Sequence, residues 1–238
     1  MRHLAAVLLV AFAACSQRVY APPSQLFAVT PITALPQNRQ ALELEASHHA
    51  QIFDPAIEAG AARLRFGIGN DTEASLEGST AVVRDDGPSP EPRTFYTGRA
   101  GLRSNPGHGA FTMFAGAGGG FGAAGGTFIS ADAGFAVGHV NCVLVPQAQA
   151  SAYVSEPLDA RPIDVTTDPD APTFDTPHTT IGAVVRAGLR LSLSPSACRR
   201  GEQSPWLYAG LGVTRMMDAD SDAAIPGIGI GLEIPLSN

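Results

Sequence analysis

The sequence predicts an all-β protein of about ten antiparallel strands, and three observations carry that prediction. Glycine (26) and proline (19) are abundant for a helical chain of 238 residues, and the glycines lack an every-third-residue period. Short segments alternate large apolar residues with polar or very small ones, the pattern of a strand with two unlike faces. The polar gaps between these segments alternate in length. Hydrophobic residues make up 45% and charged residues 16%, so there is material for a core, yet no apolar run approaches the roughly 18 residues of a transmembrane helix. Net charge is −7 and all 15 basic residues are Arg, which leaves no broad basic field for nucleic acid.

The first element is an address. Arg2 and His3 precede an apolar stretch from Leu4 to Ala14 that ends in small residues, as a secretory signal does, so residues 1–14 read as a signal peptide. The run Phe12-Ala13-Ala14-Cys15 resembles a bacterial lipoprotein lipobox with Phe12 in place of the usual Leu. That resemblance implies lipidation of Cys15. Ordinary cleavage after Ala13, which Ala11-Phe12-Ala13 fits, is the less favoured alternative. Residues 15–39 carry Pro22, Pro23, Pro31 and Pro36 without a sustained period, and read as a tether.

The remaining chain, 40–238, reads as one β domain with strands near 40–50, 61–69, 72–84, 93–103, 109–117, 127–139, 143–155, 178–193, 205–215 and 226–236. Leu64, Phe66 and Ile68 alternate with Arg63, Arg65 and Gly67; Leu76 and Val82 share a face opposite Glu73, Glu77 and Ser79. Val185, Leu189 and Leu191 oppose Arg186 and Arg190, and Ile228, Ile230 and Leu232 oppose Gly227, Gly229 and Glu233. Long gaps are expected at 51–60, 85–92, 156–177 and 217–225, short ones at Asn70-Asp71 and Asn141, with a glycine-rich hairpin loop over Gly116–Gly126.

This asymmetry resembles bacterial outer-membrane β-barrels of the small OmpA type, with short periplasmic turns and longer external loops. The resemblance implies an antiparallel up-and-down β-barrel of about eight to ten strands, membrane lipid as its partner and the outer membrane as its location. Setting Cys15 aside as a lipid anchor leaves Cys142 and Cys198, which the up-down count places on one side. A bridge between them is topologically allowed and accounts for the long connection Pro195–Ser204. The same count puts Cys15 on the periplasmic side, with its lipid in the inner leaflet.

The inward face would then hold Glu43, Glu45, Arg63, Arg65, Glu73, Glu77, Arg99, Arg103, Asp132, Arg186, Arg190 and Glu233. Enclosed charges of both signs must pair or stay hydrated, and Arg suits planar pairing with carboxylates. A salt-bridge ladder filling a narrow lumen is expected, with a selective path or ligand pocket as the functional alternative. Inward glycines at 67, 69, 188, 227, 229 and 231 would make room for the arginines.

Other motifs fall short of chemistry. His48 and His49 point to opposite faces of a strand, His139 and His178 stand alone, and neither GxSxG nor HExxH occurs. Gly116 and Gly118 lack a P-loop Lys, Asp159–Asp175 lacks the Glu of an EF-hand, and Asp218, Asp220 and Asp222 read as a polar turn. Neither enzyme activity, cofactor nor metal is expected. The expected role is that of an outer-membrane-associated lipoprotein with a structural, adhesive or small-solute-binding function. The alternative is a lipid-anchored, soluble, periplasmic or surface β-barrel or β-sandwich that binds a ligand and whose Leu stripe lines a core.

Overall fold

Ten long strands join edge to edge, and the last pairs with the first, so the sheet closes into a barrel. The computed structural model describes residues 21–23, 31–50, 56–84, 93–106, 110–122, 126–159, 162–164, 174–219 and 222–236. In chain order these form β1 (Gln40–Ala50), β2 (Ala56–Gly67), β3 (Thr72–Arg84), β4 (Arg93–Ser104), β5 (Phe111–Gly122), β6 (Gly126–Gly138) and β7 (Leu144–Pro157). There follow β8 (Ile163–Asp164), β9 (Phe174–Asp175), β10 (Thr180–Ser192), α1 (Pro195–Arg199), β11 (Trp206–Met217) and β12 (Asp222–Pro235). β8 and β9 pair only with each other; the other ten strands make the wall, each antiparallel to its neighbours. The architecture is the all-β up-and-down barrel the alternating faces predict.

Strand boundaries differ from the expectation at three places. β2 begins at Ala56, β12 at Asp222, and β5 continues through Gly122, so the glycine-rich run is wall rather than loop. Glycine has no side chain to place on either face, so the period-two signal vanishes there although the strand continues. Its absence of Cβ is also needed: one at Gly118 would stand 2.1 Å from the Gly98 carbonyl oxygen, and one at Gly120 2.2 Å from that of Tyr96. The strands therefore approach more closely at β4–β5 than side-chain-bearing residues permit.

The two ends of the barrel are unlike. One end, here the disulfide end, carries the connections 68–71, 105–110, 139–143 and 193–205, together with the start of β1 and the finish of β12. The other, the loop end, carries 51–55, 85–92, 123–125, 158–179 and 218–221. The longest connections are 158–179 at the loop end and 193–205 at the disulfide end, followed by 85–92, and the gaps after β1 and β11 are shorter than the sequence suggests. At the disulfide end, Asn141 folds a tight turn by accepting the Val143 and Leu144 N–H groups on Oδ1, each at 2.8 Å. Next to it Cys142 is bonded to Cys198 of α1, with Cα atoms 5.5 Å apart. The bridge fastens the 193–205 connection to the β6–β7 turn.

Part of the stretch that reads as a tether lies within the wall. Ile32 is fully buried against Ala136 and Val145, inward residues of β6 and β7, and Trp206 packs on the same cluster. Asn105 Nδ2 and Thr112 Oγ1 both donate to the Ile32 carbonyl. The chain then turns at Pro36–Arg39, where Asn38 takes φ +63° and the Arg39 N–H bonds the Pro36 carbonyl at 3.0 Å, and enters β1. Asn tolerates this left-handed conformation better than most side chains. Residues 31–39 are thus part of the fold; Cys15 and the 1–14 signal lie outside the described residues.

Replacing Cys142 and Cys198 together by Ser removes a link across the 56 residues between them, a chain-entropy contribution of up to about 4 kcal/mol. Equilibrium unfolding is expected to show that loss, while limited proteolysis cuts 193–205 faster and leaves the ten strands intact.

Candidate functional site

The interior of the barrel holds the protein's charged chemistry, and strand register determines its layout. β1 places Glu43 opposite Arg63 of β2, β2 places Arg63 opposite Glu77 of β3, and β3 places Glu77 opposite Arg99 of β4. Signs therefore alternate across four adjacent strands on the inward face. A slip of one residue in any pair would turn the whole set outward.

Arg65 is the hub. Only 1% exposed, its side chain holds Glu73 in a two-pronged pair, Nε to Oε1 at 2.9 Å and Nη2 to Oε2 at 2.6 Å. Its Nη1 donates to Glu43 Oε1 at 3.0 Å and to Glu233 Oε2 at 2.6 Å. Arg63 joins the same set through Glu43 Oε2 at 2.7 Å and Glu77 Oε2 at 2.6 Å. Arg103 Nη1 lies 2.8 Å from Glu73 Oε1, an ion pair without hydrogen-bond alignment. Arg190 Nη2 reaches Glu233 Oε2 at 2.5 Å while its guanidinium carbon sits 5.1 Å from the centre of the Trp206 ring. Four arginines and four carboxylates thereby form one connected cluster around Arg65, Glu77 joining it through Arg63.

Arg99 and Asp132 form a separate two-pronged pair, 2.7 Å at each contact, that reaches from β4 over the inner face of β5 to β6. Gly116 makes this possible, because a Cβ there would stand 2.3 Å from Arg99 Nη2. Three of the glycines singled out in the sequence, Gly67, Gly227 and Gly231, serve other neighbours. A Cβ at Gly67 would strike the Pro36 carbonyl oxygen at 1.9 Å, one at Gly227 the His49 ring at 2.0 Å, and one at Gly231 the Tyr208 ring at 2.3 Å. Room for the N-terminal segment and for inward rings, rather than for arginines, is what those positions supply. Arg186 and Glu45 also face inward, Arg186 being buried.

The N-terminal segment is bound by this interior through its backbone. Arg65 Nη2 donates to the Thr33 carbonyl at 3.0 Å, and the Leu35 N–H donates to Glu73 Oε2 at 2.9 Å. Towards the loop end, Ser155 Oγ donates to the Pro22 carbonyl at 2.8 Å and the Ala21 N–H donates to Thr180 Oγ1 at 3.1 Å. Sequence reasoning assigned the charges but not this guest. Four prolines conceal it: a segment bound through backbone carbonyls has no side-chain period to read.

A second feature outside the sequence reading is an apolar layer at the loop end, where Tyr153, Val184, Met216 and Ile225 meet inside the wall with Ile57. Its trace in the sequence is the apolar doublet, Tyr153-Val154, Val184-Val185 and Met216-Met217, which marks strand ends with both faces apolar. His48 and His139 are exposed and His178 is exposed, and no group of three or more metal-ligating side chains occurs among the described residues. Asp222 pairs with Arg215, while Asp220 lies outside the described residues. The enclosed geometry suits holding chain and charge in place; it presents no paired nucleophile and base among the residues above.

A closed, ten-stranded antiparallel barrel with an ionic interior is the class of protein this geometry defines. No protein-family model matches the chain, and no curated protein matches it. Among solved structures it is similar to the N-terminal β-barrel domain of Pseudomonas aeruginosa OprF, with 15% identity and a TM-score of 0.39 over 84% of this chain and 100% of that one. It is also similar to a bacterial polysaccharide outer membrane secretin, with 7% identity and a TM-score of 0.35 over 84% of this chain and 99% of that one. At such values neither likeness assigns a residue or an activity to this chain.

Arg65→Met leaves Glu43, Glu73 and Glu233 facing one another without their shared cation, and is expected to cost about 3–5 kcal/mol of unfolding free energy. Urea titration of the folded barrel measures it. Arg200→Met, at the exposed Arg200–Glu202 pair, is the control expected to leave the unfolding midpoint unchanged.

Proposed function

We propose that the protein is an outer-membrane β-barrel whose lumen is occupied by its own ion pairs and N-terminal segment, serving as a closed, membrane-embedded anchor that displays the connections of the loop end. The observation that carries this reading is the inversion of the wall: arginines and carboxylates point in, and Leu76, Leu102, Val185, Leu211, Ile228 and Ile230 point out. In water such an exterior would be an extreme apolar patch; in lipid it is matched solvent, and a closed barrel leaves no strand edge unpaired.

The outer surface is graded as a bilayer requires. Phe111 and Phe135 stack at 6.1 Å near the disulfide end, Tyr96 and Phe121 at 5.2 Å near the loop end, with aliphatic residues between, an arrangement matching aromatic girdles at two interfaces. Outward charges, Glu58, Glu156, Arg215 and Asp222, sit on strand segments close to the loop end. That end accordingly projects from the membrane, and its long 158–179 connection supports an external orientation for it. No helix of the described residues is long and apolar enough to cross a membrane, so spanning rests on the strands alone. The soluble alternative, with Leu64, Phe66 and Ile68 around a core and arginines in water, requires the opposite orientation of both faces.

A ten-stranded wall leaves an interior little wider than side chains fill, which favours an anchoring role over a conducting one. Lipidation at Cys15 belongs to the same proposal and adds a second hold on the membrane.

Leu211, 65% exposed at mid-strand, tests the lipid reading directly. Leu211→Arg is expected to cost about 2–4 kcal/mol of folding free energy in vesicles, against at most about 1 kcal/mol for Glu58→Arg near the rim. Equal, negligible effects would match a barrel standing in water. In planar bilayers the intact protein is expected to show no stable open pore, and deletion of residues 17–34 to raise conductance. An intact chain that already conducts as well as the deletion removes the closed-lumen reading.

A further inference from the structure

The described N-terminal residues lie at both ends of the lumen. Ala21 and Pro22 are held by Thr180 and Ser155, close to the loop-end termini of β10 and β7. Ile32, Thr33 and Leu35 are held by Thr112, Arg65 and Glu73, close to the disulfide end. Pro22 and Ile32 are as far apart in the chain as Ser155 and Val145, the β7 residues against which they lie. Residues 21–23 thus stand at the loop end of the lumen and residues 31–35 at its disulfide end, where the chain turns into β1.

We infer that the chain preceding Ala21 lies on the same side of the membrane as the 158–179 connection and opposite the Cys142–Cys198 disulfide, so that a lipid on Cys15 is seated in the outer leaflet. The side is relative to the barrel; the word outer rests on the orientation proposed above. This reverses the inner-leaflet placement that counting strands from the chain's start suggests, because that count takes no account of a passage through the lumen.

Reach decides between the two leaflets. Six residues from Cys15 to Ala21 extend at most about 20 Å. A ten-stranded wall stands about 10 Å from its axis, given strands about 4.8 Å apart and tilted near 40°, so the tether can pass over the loop-end rim to adjacent lipid. The stretch of β7 from Val145 to Ser155 spans about 33 Å of strand, or about 25 Å of depth at that tilt. A tether starting at Ala21 cannot cross that depth a second time, through a lumen already holding the segment, and still reach a bilayer surface. Two lipid-facing attachments on one side, the rim of the barrel and an acyl chain beside it, follow.

The experiment places one epitope in each of three forms of the full chain: between Ser16 and Gln17, between Asp168 and Pro169, and between Gly201 and Glu202. Antibody labelling is compared in intact and permeabilised Gram-negative cells. The expected result is that the first two label alike and the third oppositely. An epitope after Ser16 that follows the one after Gly201, and not the one after Asp168, overturns the inference. Purified full-length protein carrying Ala21→Cys and Thr180→Cys supplies an independent readout, a disulfide between the introduced residues identified by mass spectrometry. If all three epitopes label alike, membrane spanning fails, and with it the leaflet assignment; a cross-link in that case shows that the threading itself stands. Absence of the cross-link in folded protein overturns the threading whatever the epitopes show.

Discussion

Closing a sheet into a barrel encloses half of its side chains, and the structure depends on what that enclosure demands of charge. An arginine on the inner face has neither bulk water nor a membrane surface to turn to, so its stability rests on the carboxylates that register brings opposite it. Here the demand is met by alternation of sign across β1, β2, β3 and β4, with Arg65 binding Glu43, Glu73 and Glu233 at once. The barrel's closure and its charge pairing are therefore one constraint. β12 must meet β1 for Glu233, held on its other side by Arg190 of β10, to reach Arg65 of β2.

The same enclosure explains the guest segment. Backbone N–H and C=O groups inside a barrel need partners as much as side chains do. Residues 21–23 and 31–39 find them in the inward Thr112, Ser155 and Thr180 and in the ionic cluster itself, where Arg65 and Glu73 each spare one contact for main chain. Gly67 opens the space that lets Pro36 pass close to the wall. The disulfide at the same end secures the one long connection there, so the floor of the barrel is fastened from inside and outside the lumen.

Much of this was legible beforehand, and the reason is the strand's period of two. Where one face is Arg, Glu or Gly and the other Leu, Ile or Val, as around Arg63–Ile68 and Val184–Leu193, the sequence declares both the strand and its orientation once the solvent of each face is known. Where the contrast between faces is weak the reading lapses. Gly116–Gly122 has no side chains to alternate, and Ala56–Ala61 has too little polarity to mark a strand, so both were legible only as loop. The apolar layer of Tyr153, Val184, Met216 and Ile225 escaped for the related reason that two apolar faces look like none.

The sequence by itself determined the class of structure, the inward charges and the nearness of Cys142 to Cys198, because each follows from periodicity and parity along the chain. Tertiary structure alone decided which carboxylate each arginine holds, since that depends on register between strands far apart in sequence, as with Arg65 and Glu233. It alone also decided that residues 21–23 and 31–35 lie inside the wall. A segment recognised through its backbone leaves no pattern in its side chains, and its path exists only once the barrel has closed around it.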